Sequence, residues 1–237
     1  GGIQATSSAG DRPILFYTRR IGLTAGRPVP IDVGGRLTGR TGRYSFGALA
    51  INTGTEPSVA SSEATFSVVG LKRDVFRRSS VGMLFTSRSC PSPAANFAYG
   101  LDGVFALSPN LTLNTYWART RTIGRTDDDV SYRGDLNYAG DRYGLQVERL
   151  AIGRNFLPEV GFVRRTDLER SFAQGRFSPR LRNNRLVRRL SWVAGLTYIE
   201  NSVGRVETRS GRGEFAIEFH SSDRLALTIF REREFVP

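Results

Sequence analysis

Cysteine, histidine and long hydrophobic runs are all scarce in this sequence. Cys90 is its only cysteine, which excludes an intrachain disulfide and a thiolate metal cluster. His220 is its only histidine, which excludes a multi-histidine metal site. Although 39% of the residues are hydrophobic, no run approaches the roughly 20 apolar residues of a membrane-spanning helix. The sequence therefore predicts no transmembrane helix, no metal and no cofactor.

Lysine is scarce as well, yet the chain is strongly basic. Lys72 is the only lysine, but 34 Lys and Arg against 22 Asp and Glu give a net charge of +12. Such a surplus is typical of proteins that bind nucleic acid or anionic lipid head groups. Because the basic residues are scattered along the chain, we predict no nucleic-acid partner.

Apolar and polar residues alternate with a two-residue period along most of the sequence. Around Tyr132 and Leu136 one face is apolar, while the intervening Arg133 and Asp135 make the other face polar. This period is that of a β-strand. About twelve such segments follow one another, each near the roughly 9–11 residues that a tilted strand needs to cross a bilayer.

The connections between these segments alternate between short and long, which predicts a barrel with two different rims. Outer-membrane barrels have tight turns at one rim and longer loops at the other. The segment 179–186 is longer than this scheme expects at a short end. Short turns are predicted at residues 41–43, 77–78, 109–110, 140–142 and 222–223, and long connections at 54–63, 89–95, 122–129, 152–170 and 201–212.

The predicted fold class is therefore all-β, an antiparallel transmembrane β-barrel with about twelve strands in this piece of a larger barrel. The alternative is a soluble β-sandwich or lipocalin-like barrel, which also alternates. A soluble barrel displays Lys and Glu to water on its polar face, whereas this polar face is rich in small polar residues and paired charges, which suit a wet lumen. Candidate interfacial aromatics are Tyr99, Trp117, Tyr138, Tyr143 and Tyr198.

Several short motifs, in order along nearly the whole chain, resemble a family of bacterial outer-membrane proteins of unknown function. In that family the barrel follows a family-9-type carbohydrate-binding domain. The matching motifs are residues 16–22, 29–31 and 35–39, Lys72-Arg73-Asp74 with residues 78–82, Asn96 with residues 99–102, and residues 156–162.

The resemblance implies a location in the bacterial outer membrane, with outer-membrane lipid and lipopolysaccharide as the expected partners. It also implies two segments. Residues 1–30 would form an N-terminal lead-in or plug, and residues 31–237 the barrel domain. The family's sugar-binding domain is missing from the N-terminal side, so a glycan ligand would bind to that absent domain. We also expect the barrel domain to be truncated at its C-terminus, since a barrel chain usually finishes on a lipid-facing strand.

Charged residues on the polar face are the candidate lumen or plug residues. Arg19 and Arg20 could hold a plug through charge-assisted hydrogen bonds to lumen carboxylates such as Asp74 or Asp102. Alternatively, they only offset buried charge. Both interpretations place them inside. The complete set is Arg19, Arg20, Arg73, Asp74, Asp102, Arg133, Asp135 and Glu148.

No group of residues predicts catalysis, so the chain is not expected to be an enzyme. His220 alone would have to serve any serine or cysteine triad. Glu214 and Glu218 share a face but lie about 13 Å apart along a strand, beyond the roughly 5–10 Å that glycoside hydrolysis needs. The run 127–129 could bind calcium, but its spacing favours an acidic loop tip.

The sequence thus predicts a non-catalytic outer-membrane barrel linked to carbohydrate binding, uptake or envelope transport. A second hypothesis is a barrel that only anchors a carbohydrate-active protein. A third is a soluble β-rich glycan-binding domain.

Overall fold

The computed structural model describes residues 11–24, 26–57, 62–91, 95–125 and 127–235. Part of the predicted lead-in segment, residues 1–10, lies outside the described residues, as do the last two residues of the chain. The described residues form β-strands, turns and a 3-10 turn at Thr18–Arg20, with no α-helix. None of them belongs to a helix that is long and apolar enough to cross a membrane.

A small hairpin precedes twelve long strands. Its strands are β1 (Leu23–Thr24) and β2 (Arg27–Pro28). The long strands are β3 (Ile31–Thr41), β4 (Tyr44–Thr53), β5 (Ala64–Phe76), β6 (Ser79–Ser89), β7 (Asn96–Ser108), β8 (Leu111–Thr122), β9 (Val130–Ala139), β10 (Tyr143–Ile152), β11 (Leu168–Phe177), β12 (Val187–Glu200), β13 (Val206–Phe219) and β14 (Arg224–Glu234).

The twelve long strands form one antiparallel sheet in sequence order, from β3 at one edge to β14 at the other. The predicted all-β class and the count of about twelve antiparallel segments are confirmed. Among the described residues β3 and β14 do not pair with each other, so this sheet is open and not closed into a barrel.

Connections at the two ends of the strands differ in length, as predicted. At one end, the short-turn end, two or three residues join most strands, and left-handed backbone at Gly42 (φ 55°) and Arg78 (φ 63°) tightens two of the turns. The connection 178–186 is longer. At the other end, the long-loop end, five or more residues join each pair of strands.

The predicted long connection 201–212 is wrong in its extent, because β13 already begins at Val206. Ile199 pairs with Thr208 and Leu196 with Gly211, so this segment belongs to the sheet. Residues 207–213 are rich in Arg, Thr, Ser and Gly, and they lack the apolar residues that mark the other strands. Cross-strand hydrogen bonding, rather than side-chain pattern, fixes this part of the strand.

The two faces of the sheet differ sharply in chemistry. On β9, Tyr132 (44% exposed) and Leu136 (36% exposed) lie on one side, which we call the outer face. Arg133 and Asp135 lie on the opposite, inner face, and both are buried. The same division holds on β10, where Leu145 and Val147 are exposed and Gln146 and Glu148 are buried. The apolar side is thus the exposed one.

Two chain segments cover the inner face at the long-loop end: residues 11–22 and the connection 153–167. We call these two segments the inner plug. Its side chains complete two apolar clusters with inner-face residues of the sheet. Ile21 and Val160 pack with Ala64, Phe66 and Val68 in the first, and Phe156 packs with Ala118, Leu150, Ile152 and Leu168 in the second.

Candidate functional site

A buried ionic cluster centred on Glu148 lies on the inner face, next to the inner plug. Glu148 on β10 is 1% exposed. It accepts a hydrogen bond from Nε of Arg133 on β9 at 2.6 Å and from Nη2 of Arg170 on β11 at 2.5 Å. Three neighbouring strands therefore each contribute one charged residue. Both arginines are at least 95% buried, which makes this the most enclosed set of charges in the described chain.

Asp135 extends the cluster toward the short-turn end. Its Oδ2 lies 2.9 Å from Nη2 of Arg133, and its Oδ1 accepts a hydrogen bond from Gln146 at 2.9 Å. Asn114 on β8 donates to Oδ2 at 3.3 Å. The cluster thus crosses β8 to β11 on one face, as the alternation in each strand requires.

The inner plug contributes the remaining charges. Asp11 accepts a hydrogen bond from Nη1 of Arg170 at 3.1 Å, and Arg12 lies 3.6 Å from Glu148. Three arginines (Arg12, Arg133 and Arg170) then face three carboxylates (Asp11, Asp135 and Glu148). The balance offsets the large desolvation cost of burying each ion. The same ion pairs hold the start of the described chain against the sheet.

Backbone contacts hold the two segments of the inner plug together. Ile14 and Phe162 exchange two hydrogen bonds, at 2.8 and 2.7 Å, and Tyr17 donates to the carbonyl of Val160 at 2.9 Å. Arg20 donates from Nε to the carbonyl of Gly161 at 3.1 Å. A Cβ at Gly161 would lie 2.8 Å from the carbonyl carbon of Leu15 and closer still to the carbonyl oxygen of residue 14, so only glycine fits.

The structure brings three of the predicted lumen residues together: Arg133, Asp135 and Glu148. Arg19 and Arg20 lie on the exposed 3-10 turn of the inner plug, and Arg20 binds a backbone carbonyl there. Neither arginine forms an ion pair with a predicted carboxylate among the described residues.

The other predicted lumen residues lie apart from the ionic cluster. Asp74, on the inner face, pairs with Arg40 at 3.1 Å near the short-turn end. Asp102 is exposed, and its carboxylate lies beside Gly82. Arg73 lies on the outer face, with its guanidinium 5.1 Å from the centre of the Tyr44 ring, because it occupies the position between two inner-face residues.

Sequence reasoning missed Asp11, Arg12 and Arg170 as members of the cluster. Asp11 and Arg170 are 159 residues apart, and no local pattern links them. The sequence does contain one indication of the inner plug. Alternation breaks at Leu150, Ala151 and Ile152, which are all buried, and this indicates a strand end covered on its inner face.

Beside β11 to β14 the inner face is open instead. A groove of about 850 Å³ lies there, lined by polar side chains such as Gln174, Ser210 and Thr228. Arg212 and Arg224 both donate to Glu214, at 2.9 and 2.5 Å. The inner face is therefore filled on one side of the sheet and accessible on the other.

Aromatic side chains lie in rows on the outer face near both ends of the strands. At the short-turn end Tyr143, Phe177, Trp192 and Phe215 follow one another across four strands, with ring centroids 5.3, 5.6 and 5.3 Å apart. Nearer the long-loop end, Tyr99 contacts Trp117, a pair among the predicted interfacial aromatics, at 5.9 Å. Level with Trp117, the outer face also carries aliphatic residues such as Met83 and Leu101, both more than half exposed.

The residues considered for chemistry contact turns and loops. His220 contacts the carbonyl of Asn184 at 3.1 Å near a turn. Within the described ranges, no three His, Cys, Asp or Glu side chains come close enough to hold a metal ion. Asp128 instead binds the backbone N–H of Arg154 at 2.9 Å. The geometry of the ionic cluster is that of a structural connection between the sheet and the inner plug.

Comparison with protein-family models, with curated proteins and with solved structures finds nothing that matches this chain.

Proposed function

We propose that this chain forms the wall of a non-catalytic transmembrane β-barrel in a bacterial outer membrane, with the inner plug narrowing its lumen. The observation that carries this proposal is the inverted distribution of polarity. Glu148 and Arg170 are almost completely buried on the inner face, whereas Leu101 and Leu227 are 58% and 64% exposed on the outer face.

Water would penalise such an outer face. Soluble monomers rarely expose large contiguous apolar patches, yet here apolar side chains are exposed on successive strands across the whole sheet. When lipid instead of water surrounds the outer face, the exposed apolar side chains carry no hydration penalty. The two levels of aromatic residues resemble the aromatic belts of a membrane barrel, with Tyr132 and Tyr138 about 20 Å apart along one strand.

The two edges of the sheet carry the same inverted pattern. Leu225, Leu227 and Ile229 lie on the outer face of β14, and Leu37 lies on the outer face of β3. Unpaired backbone groups are not tolerated in hydrocarbon. In the membrane both edges therefore pair with strands that complete the wall.

The groove of about 850 Å³ beside β11 to β14, lined by both polar and apolar side chains, would give such a barrel a passage along its wall. That groove supports a role in envelope transport. The specific link to carbohydrate uptake rests on the family resemblance of the sequence alone.

The inner plug favours a second candidate, a barrel that anchors another domain and conducts nothing. Its contacts with the wall combine apolar clusters and the Asp11–Arg170 and Arg12–Glu148 ion pairs. A plug held this firmly could close the lumen completely.

Cysteine labelling of neighbouring positions on β14 tests the membrane assignment. In a Cys90→Ser background, Leu227→Cys lies on the outer face and Thr228→Cys lines the inner groove. In lipid vesicles we expect residue 227 to react with a lipid-soluble maleimide and residue 228 with a charged, water-soluble one. Equal reaction of both variants with the aqueous reagent would contradict the proposal and favour the soluble glycan-binding domain.

Single-channel recording in a planar bilayer then separates the two candidates. Conductance of the inserted protein supports transport. Correct labelling with no conductance supports the anchor.

A further inference from the structure

The geometry points to a glycolipid-binding site on the outer face of β10 to β14, which takes the phosphates and acyl chains of a lipid A moiety. This inference rests on the proposed membrane location and deepens it. It places one defined lipid at one place on the wall.

Three unpaired arginines form the polar part of the site. Arg209 on β13 lies directly opposite Arg233 on β14, and Arg231 lies two positions along the same strand. All three are exposed on the outer face at the long-loop end. None of them forms an ion pair with a described residue, whereas the nearby carboxylate of Glu207 is paired with Arg165.

The acidic residues of β14 do not neutralise these arginines. Glu232 and Glu234 alternate with them along the strand and therefore face the inner side of the sheet. Charge is thus separated across the strand. The outer rim presents a concentrated positive surface at the level where lipid head groups would lie.

The apolar part of the site lies directly below. A shallow depression of about 580 Å³ has a floor of small residues, among them Ala173, Gly175, Ala194 and Gly213, and Arg231 stands at its margin. A second depression of about 590 Å³ continues toward the aromatic row at the short-turn end. The depression forms because the residues of its floor have small side chains or none, while the larger side chains of Leu196 and Ile229 project beside it.

The three arginines and the two depressions together favour one class of membrane lipid. The arginines extend over two strands and about 7 Å of strand length, so they match more than one phosphate group. Two continuous depressions accommodate more than one acyl chain. A glycolipid with two phosphates and several chains therefore fits better than a phospholipid with one phosphate.

Lipid binding to the purified full chain in detergent tests the site by native mass spectrometry. The probe is diphosphoryl lipid A, compared with its dephosphorylated form and with phosphatidylglycerol. We expect selective binding of the diphosphoryl form. The triple variant Arg209→Gln, Arg231→Gln, Arg233→Gln should weaken that binding on the order of a hundredfold, since each arginine near a phosphate contributes about fivefold.

Two further variants separate head-group from chain recognition. Arg73→Gln with Arg142→Gln changes outer-face arginines at the short-turn end and should leave the affinity unchanged. Gly213→Leu places a side chain in the depression, where no atom lies within 4 Å of its Cβ position, and should weaken binding of the acylated lipid.

Flotation with phosphatidylcholine vesicles free of lipid A keeps the two proposals apart. If the chain fails to float with these vesicles, the proposed membrane function fails. If it floats but binds phosphatidylglycerol or dephosphorylated lipid A as tightly as the diphosphoryl form, or if the triple variant binds normally, only the glycolipid site is overturned.

Discussion

Glu148 and Arg170 form an ion pair at 2.5 Å on the inner face, although the side chain of each is at most 2% exposed. Removing one charge from such a pair leaves its partner buried and uncompensated. We expect Glu148→Gln to lower the free energy of unfolding by about 3–5 kcal/mol. Urea unfolding in detergent, followed by tryptophan fluorescence, measures this change.

Glu200→Gln is the matched control. Its partner Arg149 lies 3.5 Å away on the outer face, and both side chains are partly exposed. The loss there should stay within about 1 kcal/mol. Equal losses in the two variants would show that the inner cluster is solvated.

Gly161→Ala should displace the inner plug, because the new Cβ would collide with the backbone of residues 14 and 15. A disulfide between Ile14→Cys and Phe162→Cys reports the contact, since this hydrogen-bonded pair places the Cα atoms about 5.5 Å apart. In a Cys90→Ser background we expect rapid oxidation, slowed at least several-fold by Gly161→Ala. Gly175→Ala, at an open position, is the control. Unchanged oxidation with Gly161→Ala would contradict the contact.

The two tryptophans should report opposite interfaces of the bilayer. Trp192 belongs to the aromatic row at the short-turn end, and Trp117 contacts Tyr99 nearer the long-loop end. In the single-tryptophan variants Trp117→Phe and Trp192→Phe, lipids brominated near the carbonyl should quench fluorescence more than lipids brominated at the chain terminus. Absence of quenching by both lipids would place these side chains outside the membrane.

Acid should release a contact between two long loops. The Ser202 hydroxyl and backbone N–H lower the pKa of Asp167 below its usual value, with the N–H 2.9 Å from the carboxylate. Because the folded pKa is the lower one, this contact stabilises the loops fully above the unfolded-state pKa and is lost as pH falls through the folded pKa.

Carboxyl chemical-shift titration measures that effect. Ser202→Ala should raise the pKa of Asp167, and Ser221→Ala, which removes a hydroxyl bonded to Asp223 at a distant turn, should not. An unshifted titration in Ser202→Ala would assign the lowered pKa to the backbone N–H of residue 202 and the neighbouring arginines instead.

Local sequence predicted most of the sheet. The alternation around Tyr132, Arg133 and Asp135 gave a strand and its two faces, and the turn at residues 140–142 gave the hairpin that β9 and β10 form. Prediction from local sequence failed at residues 206–213. Glycine and polar residues obscure the two-residue period there, and pairing with β12 holds the strand in place.

The candidate site was predicted in part for a similar reason. Arg133, Asp135 and Glu148 belong to neighbouring strands whose register follows from one short turn, so their meeting could be foreseen. Asp11 and Arg170 meet because a distant segment folds onto the inner face, and no local pattern contains that information.

By itself the sequence determined the strands, their order and the polarity of each face, because these depend on a two-residue period and on short turns. Only the tertiary structure decided that residues 11–22 and 153–167 cover the inner face at the long-loop end, and that β3 and β14 remain unpaired among the described residues. These features depend on contacts between residues far apart in the chain, whose geometry is set by the curvature and register of the whole sheet.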